Sequence, residues 1–121
     1  MLENNHEKKP KKYAGILAHP TSFPSPYGIG DLGKGAYRFI DFLANSGLNL
    51  WQVLPLGHTG FGDSPYQPFS AFAGQPLIID LDALKEYKLL SEDDFTDMPE
   101  WDPVHIDYGT LITFKTKLLK L

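Results

Sequence analysis

Two short apolar runs on either side of one amphipathic stretch limit the folds open to this chain. Residues 14–18 (AGILA) and 50–54 (LWQVL) have the length and composition of buried strands. Between them, apolar residues recur at helical spacing over 34–46, and Gly47 supplies the left-handed residue at which helices commonly end. A strand, a helix and a second strand in this order predict a βαβ unit with parallel strands.

The second half of the chain predicts further short elements. Residues 76–81 (PLIIDL) favour a third strand, and residues 82–89 favour a short helix after it. Ser91 and Asp94 have the spacing of a capping box, which marks the start of another helical turn.

A last helix is expected after Asp107, whose side chain can cap its first turn. Its buried side is predicted to consist of Leu111, Ile112, Leu118 and Leu119. This helix reaches Leu121 with an apolar end, so we expect these 121 residues to be the first part of something larger. A (β/α)8 barrel is one such α/β fold, and it needs about 250 residues.

Composition and charge exclude several classes of protein. A net charge of −4 with dispersed lysines gives no basic face for nucleic acid, and no apolar run approaches the length of a membrane span. The absence of cysteine excludes a disulfide framework and fits a reducing compartment. Residues 1–12 read as a flexible polar tail without the apolar stretch of a signal peptide, so we expect a cytoplasmic protein.

The stretch GIGDLG, residues 28–33, matches the glycine pattern of dinucleotide-binding loops. In those proteins the first glycine directly follows a strand, whereas here nine residues with three prolines separate Ala18 from Gly28. The acidic residue expected about 20 positions further on is also missing. We therefore predict that these glycines let a strand-to-helix loop turn tightly and pass close to another part of the fold.

Residues 55–76 form a second loop, which follows a predicted parallel strand at the edge where α/β folds bind ligands. Aromatic faces and small polar groups together suit a sugar, because the ring covers its C–H side and the polar groups bond its hydroxyls. The side chains that offer this mixture include Phe61, Asp63, Ser64, Tyr66 and Gln67. The alternative is a self-packed loop whose polar residues bond only their own backbone.

Other chemistries find little support in the sequence. His19, His58 and His105 lack the spacing of a zinc site, although His19 at a strand end could contact a ligand. No G-x-S-x-G nucleophile elbow is present. Retaining glycosyl transfer needs two carboxyl groups about 5–5.5 Å apart. Asp31 and Asp63 are one candidate pair, and nothing in the sequence supports their pairing.

Two long motifs resemble one family. GILAHPTSFPSPYGIGDLG and WQVLPLGHTGFGDSPYQPFSAFAGQPLIIDL are similar to the N-terminal region of 4-α-glucanotransferases, also called amylomaltases or disproportionating enzymes. The resemblance covers residues 13–121 and implies the opening segment of a (β/α)8 catalytic domain. It also implies transfer of an α-1,4-glucan segment to the 4-hydroxyl of another glucan or of glucose, through a covalent glycosyl-enzyme and without an organic cofactor. Glucans and maltodextrins are the expected partners, together with the remainder of the barrel.

The resemblance also implies roles for single residues. Tyr66 of GDSPYQ would line the subsite beside the scissile bond, with Asp63 and Ser64 bonding sugar hydroxyls, and His19 matches the family motif HPTS. The family commonly has proline and tyrosine where this chain has His58 and Phe61; Phe61 keeps an aromatic face, and nothing explains His58.

The family's catalytic carboxylates come from later barrel strands, so no catalytic residue is expected within this chain, which alone would be inactive. A stand-alone glucan-binding or interaction module without catalysis is the alternative.

Overall fold

The computed structural model describes residues 11–57 and 74–120. The first of these two parts contains β1 (Gly15–Leu17), α1 (Lys34–Asn45) and β2 (Leu50–Gln52). The second contains α2 (Leu81–Glu86) and α3 (Tyr108–Leu119). Within the described ranges, three short 3-10 turns lie between these elements, at Pro20–Ser22, Pro76–Ile78 and Glu92–Phe95.

The predicted βαβ unit is confirmed. Strands β1 and β2 pair in parallel, with Ile16 opposite Trp51 in the centre of the register. Between them, α1 ends at Asn45 and is terminated as expected by Gly47, which has a φ of +70°. The Leu48 amide donates to the Leu43 carbonyl at 2.9 Å, which closes the helix end in a Schellman motif.

The third strand predicted at residues 76–81 is wrong. Pro76–Ile78 is a 3-10 turn, and after Ile79 and Asp80 the chain enters α2. The Asp80 carboxylate accepts hydrogen bonds from the amides of Asp82 at 3.0 Å and Ala83 at 3.2 Å, so it caps a helix that begins inside the predicted strand. Leu77 and Ile78 are buried as an apolar run should be, but without a strand partner among the described residues.

The predicted short helix and caps are present with adjusted limits. Helix α2 begins at Leu81 and ends at Glu86, three residues before the predicted end, because Lys88 adopts a positive φ of 59°. The Asp94 carboxylate accepts hydrogen bonds from the Ser91 amide and hydroxyl at 2.7 and 2.9 Å, as the capping-box spacing predicts. Asp107 caps α3 by accepting from the Thr110 amide at 3.1 Å.

The buried side of α3 differs in part from the prediction. Leu111 and Leu118 are buried, but Ile112 is 44% exposed, so its predicted burial is wrong. The positions actually buried are Leu111, Phe114, Lys115 and Leu118, which follow the i, i+3, i+4, i+7 pattern of one helix face. Two small cores form on this face, one around Tyr27 and Leu81 and one around Ile29 and Leu77.

Apolar side chains of the strand region remain exposed. Leu17 is 54% exposed and Leu50 is 49% exposed, although both lie in the parallel strands. In α/β proteins such strands are covered on both faces. Among residues 11–57 and 74–120, no helix is long and apolar enough to cross a membrane.

Candidate functional site

The carboxyl ends of β1 and β2 bring two loops to one edge of the sheet. The Trp51 indole donates to the Ala18 carbonyl at 2.7 Å, and the Ala18 amide donates to the Gln52 carbonyl at 3.0 Å. The chain then continues as His19 from one strand and as residues 53–57 from the other. Ligands of parallel α/β folds bind at this edge.

His19 is oriented at the end of β1. Its Nδ1 atom lies 2.8 Å from the Thr21 hydroxyl and 3.4 Å from the Thr21 amide. Its Nε2 atom is buried and has no hydrogen-bond partner among residues 11–57 and 74–120. Because a buried polar atom without a partner is costly, this nitrogen is a candidate to bond something outside those residues.

The glycine-rich loop between β1 and α1 turns tightly and passes close to another part of the fold, as its sequence predicts. Gly28 has a φ of +80°, and a Cβ atom there would lie 2.6 Å from the Trp101 ring. At Gly30 a Cβ atom would overlap the Pro20 carbonyl oxygen, and the Gly30 amide donates to the Thr21 carbonyl at 3.0 Å. These glycines therefore provide close backbone approach.

The start of α1 also argues against a dinucleotide. Asp31 is 6% exposed, and its carboxylate accepts from the Gly33 amide at 3.0 Å and the Ser25 hydroxyl at 3.0 Å. A pyrophosphate at this helix start would meet the negative charge of Asp31. Both Asp31 oxygens therefore accept hydrogen bonds from their own loop.

Most of the predicted sugar-binding residues lie outside the described part of the chain. Phe61, Asp63, Ser64, Tyr66 and Gln67 belong to residues 58–73, as does His58. The structure does describe Leu56 and Gln75, which flank this segment on either side. The Gln75 amide donates to the Leu56 carbonyl at 2.9 Å, so the chain leaves and returns at one point beside β2.

The sequence analysis did not predict that Lys115, which lies close to Leu77, is buried. Lys115 on α3 is fully buried, and its Nζ donates to the Leu77 carbonyl at 2.5 Å. Burial lowers the pKa of Lys115 to about 8, and the nearby carboxylates of Asp31 and Asp80 act in the opposite direction. The signal was available in the sequence, since Lys115 lies four residues after Leu111 and so on the same helix face.

A second polar cluster joins the glycine-rich loop to α2. The Tyr27 hydroxyl donates to the Asp82 carboxylate at 2.5 Å, and Lys85 lies 3.5 Å from the same carboxylate. The hydrogen bond from Tyr27, with lysine charges nearby, lowers the pKa of Asp82, whereas burial and this carboxylate raise the pKa of Tyr27. Hydrogen bonding to Tyr27 and Glu92 raises the pKa of Lys85.

No group of three or more His, Cys, Asp or Glu side chains in the described ranges could hold a metal ion. The arrangement defines an α/β protein of parallel strands, with its candidate ligand site beyond their carboxyl ends. The model of the 4-alpha-glucanotransferase family, glycoside hydrolase family 77, matches residues 18–121. The chain belongs to this family.

Individual relatives and a solved structure agree with this assignment. The chain is 49% identical to the 4-alpha-glucanotransferase of Synechocystis over 91% of its own length and 22% of that protein. It is 51% identical to the 4-alpha-glucanotransferase of Thermus thermophilus over 88% of its length and 20% of that protein. An amylomaltase from Streptococcus agalactiae, solved in complex with acarbose, superposes on 91% of the chain with a TM-score of 0.81 and 43% identity.

The chain therefore spans about a fifth of the length of the curated relatives it matches. It covers 23% of the solved amylomaltase chain. Its fold is the N-terminal part of a (β/α)8 barrel, which confirms the fold class expected from the βαβ pattern and the resemblance.

Proposed function

We propose that the protein to which this chain belongs transfers a segment of an α-1,4-glucan to the 4-hydroxyl of another glucan or of glucose. The observation that carries the proposal is the family match over residues 18–121, with relatives named 4-alpha-glucanotransferase at about half identity. Because the chain is about a fifth of those relatives, the activity is proposed for the complete protein. The mechanism proposed is a retaining double displacement without an organic cofactor. The carboxylates that carry it out are proposed to come from outside these 121 residues.

Within the complete protein, this chain is proposed to supply part of the donor pocket. Tyr66, Asp63, Ser64, Phe61 and Gln67 are its proposed sugar contacts, and the tethering of their segment at Leu56 and Gln75 supports a location beside the strand ends. His19 is proposed to add a contact through Nε2, because that buried atom has no partner in the described ranges.

The remainder of the barrel is the proposed partner of the exposed strand residues. Leu17 and Leu50 are about half exposed, and barrel strands normally have helices on one face and the barrel interior on the other. The division into a tail at 1–12 and a barrel segment at 13–121 remains a prediction, as does a cytoplasmic location.

The experiment is maltotriose disproportionation by the complete protein, with acarbose binding measured by calorimetry. Transfer confirms the proposal, whereas binding of acarbose without transfer would favour a glucan-binding module. If the complete protein shows neither transfer nor acarbose binding, the proposed function is wrong.

The pocket itself is tested by Tyr66→Ala in the complete protein. We expect kcat/KM to fall about tenfold or more, since each 1.4 kcal/mol of lost interaction with the substrate is worth a factor of ten. Tyr37→Ala is the matched control, because Tyr37 is 67% exposed on α1. A folded Tyr66→Ala protein with normal transfer would exclude Tyr66 from the site.

A further inference from the structure

The main chain on both sides of His19 is held by hydrogen bonds. Before it, the Ala18 carbonyl accepts a hydrogen bond from the Trp51 indole at 2.7 Å. After it, the Ser22 amide donates to the His19 carbonyl at 3.0 Å, in the turn Pro20–Ser22. Because the backbone is fixed in this way, the orientation of the imidazole ring depends on the contacts of its own nitrogen atoms.

Thr21 supplies two contacts to the Nδ1 atom of His19. The Thr21 hydroxyl lies 2.8 Å from Nδ1, and the Thr21 amide donates to the same atom at 3.4 Å. A backbone amide can only donate a hydrogen bond, so Nδ1 is the acceptor and carries no hydrogen. A neutral imidazole has one bare nitrogen and one that carries hydrogen, which places the hydrogen of His19 on Nε2.

The glycine-rich loop in turn holds Thr21. The Thr21 carbonyl accepts a hydrogen bond from the Gly30 amide at 3.0 Å. A Cβ atom on Gly30 would overlap the Pro20 carbonyl oxygen, which shows how closely the two backbone segments approach. Thr21 therefore connects a closely packed loop to the ring of His19.

The Nε2–H group of His19 lies at the edge where a ligand is expected. Strand β1 ends at Leu17, two residues before His19, and ligands of parallel α/β folds bind beyond the carboxyl ends of the strands. Nε2 is buried and has no hydrogen-bond partner within residues 11–57 and 74–120. A hydrogen bond formed by a buried donor replaces no bond to water, so an acceptor gains more there than at an exposed site.

We propose that Thr21 is a positioning residue, which fixes His19 in the form with hydrogen on Nε2 so that this group donates to an oxygen atom of the glucan. The proposal rests on the proposed function, because it takes the ligand to be a glucan. All polar atoms of a glucan are oxygens that can accept a hydrogen bond, so a fixed donor suits this class of ligand. With the hydrogen on Nδ1 instead, Nε2 could bond a glucan only by accepting from a hydroxyl group.

The first test is a nitrogen-15 NMR spectrum of the complete protein with labelled histidine, recorded at alkaline pH with and without acarbose. The two nitrogens of a neutral imidazole have well-separated chemical shifts, and the His19 signals are identified by their loss in His19→Gln or His19→Asn. We expect the hydrogen on Nε2 in the free protein. Saturating acarbose should shift the Nε2 signal and leave the hydrogen on that atom.

The second test is the substitution of Thr21 in the complete protein. Thr21→Val keeps the shape and the amide but removes the hydroxyl, and Thr21→Ser restores a hydroxyl. In Thr21→Val we expect the KM for maltotriose and the Kd for acarbose to rise about three- to tenfold, as for the loss of one hydrogen bond. The fraction of His19 with hydrogen on Nδ1 should also rise, and Thr21→Ser should return all three quantities towards their wild-type values.

His105→Leu is the matched control, because 83% of the His105 side chain is exposed. It should leave both constants unchanged. The NMR measurement on the wild-type protein needs no Thr21 variant, so it decides the proposal even where Thr21→Val does not fold.

Three results would overturn the proposal. The first is hydrogen on Nδ1 of His19 in the wild-type protein, and the second is a Nε2 signal that bound acarbose does not shift. The third is a Thr21→Val protein with wild-type KM, whether or not its melting temperature is lower. A wild-type protein that neither transfers glucan nor binds acarbose would refute the proposed function and with it the contact to a glucan, while the spectrum of the free protein would still show whether the hydrogen lies on Nε2.

Discussion

Replacing Gly30 by alanine should open the contact between the glycine-rich loop and the end of β1. A Cβ atom there would overlap the Pro20 carbonyl oxygen and would lie 2.6 and 2.7 Å from the Phe23 amide nitrogen and carbonyl oxygen. All three are backbone atoms, which no change of rotamer can move. Gly30 does not have a positive φ as Gly28 does, so the destabilisation by alanine comes from steric overlap and not from backbone strain.

The expected cost follows from these contacts. Ordinary contact of a Cβ atom begins near 3.4 Å, so the two backbone segments would have to separate by about 1 Å, and overpacking of this kind costs about 1–3 kcal/mol. The separation would also weaken the 3.0 Å bond from the Gly30 amide to the Thr21 carbonyl, worth about 1 kcal/mol. We therefore expect the free energy of unfolding to fall by about 2–4 kcal/mol.

The assay is urea unfolding of the complete protein, with hydrogen exchange of peptides covering residues 20–33 to locate the change. Gly109→Ala is the control, because among the described residues its Cβ would meet only Asp107, at 3.5 Å, and alanine in a helix is favoured by about 0.5–1 kcal/mol. The two substitutions should have opposite signs. A Gly30→Ala protein as stable as wild type, with unchanged exchange at 20–33, would refute the close approach of the two segments.

Two further predictions concern caps and charge. Asp80→Ala should lower the free energy of unfolding by about 1 kcal/mol, because it removes the acceptor for the Asp82 and Ala83 amides. Asp80→Asn should retain most of that stability, since its side-chain oxygen can still cap the helix. Equal losses in both variants would contradict the capping role. Tyr27→Phe should cost about 1 kcal/mol at pH 7. The Tyr27 hydrogen bond lowers the pKa of Asp82, so its contribution is complete above the ordinary value of 3.8 and is lost as pH falls through the lower folded value. Unfolding at pH 7 and pH 3 should show the gap between wild type and Tyr27→Phe narrowing in acid, and a constant gap would refute the linkage.

Periodicity and turn chemistry were enough to predict the βαβ unit. Strands within the apolar runs at 14–18 and 50–54 pair in parallel, and Gly47 in its left-handed conformation terminates α1. The same apolar criterion failed at 76–81, because burial by itself does not distinguish a strand from a turn packed under a helix. Asp80 could have indicated the helix start, because an acidic residue just before a helical pattern often is the N-cap.

The sequence offered candidate site residues only where residue types point to a ligand. The aromatic and polar residues around Tyr66 suggested a sugar, and they lie outside the described ranges, so their roles remain predictions. The burial of Lys115 was missed because lysine side chains are usually exposed. Its spacing of four residues from Leu111 nevertheless places it on the buried face of α3. Which carbonyl it would meet depends on tertiary packing that a sequence pattern does not contain.

The loops at the strand ends depend on side-chain hydrogen bonds in a way that the strands do not. A loop has no ladder, so its buried backbone groups must find partners elsewhere. Asp31 accepts from the Gly33 amide, Gln75 from the Leu77 amide, and Lys115 donates to the Leu77 carbonyl. The pairing of β1 with β2 uses none of these groups. Loss of one of these polar side chains should therefore loosen the edge where ligand is expected while the βαβ unit persists, which makes the geometry of the site separable from the stability of the fold.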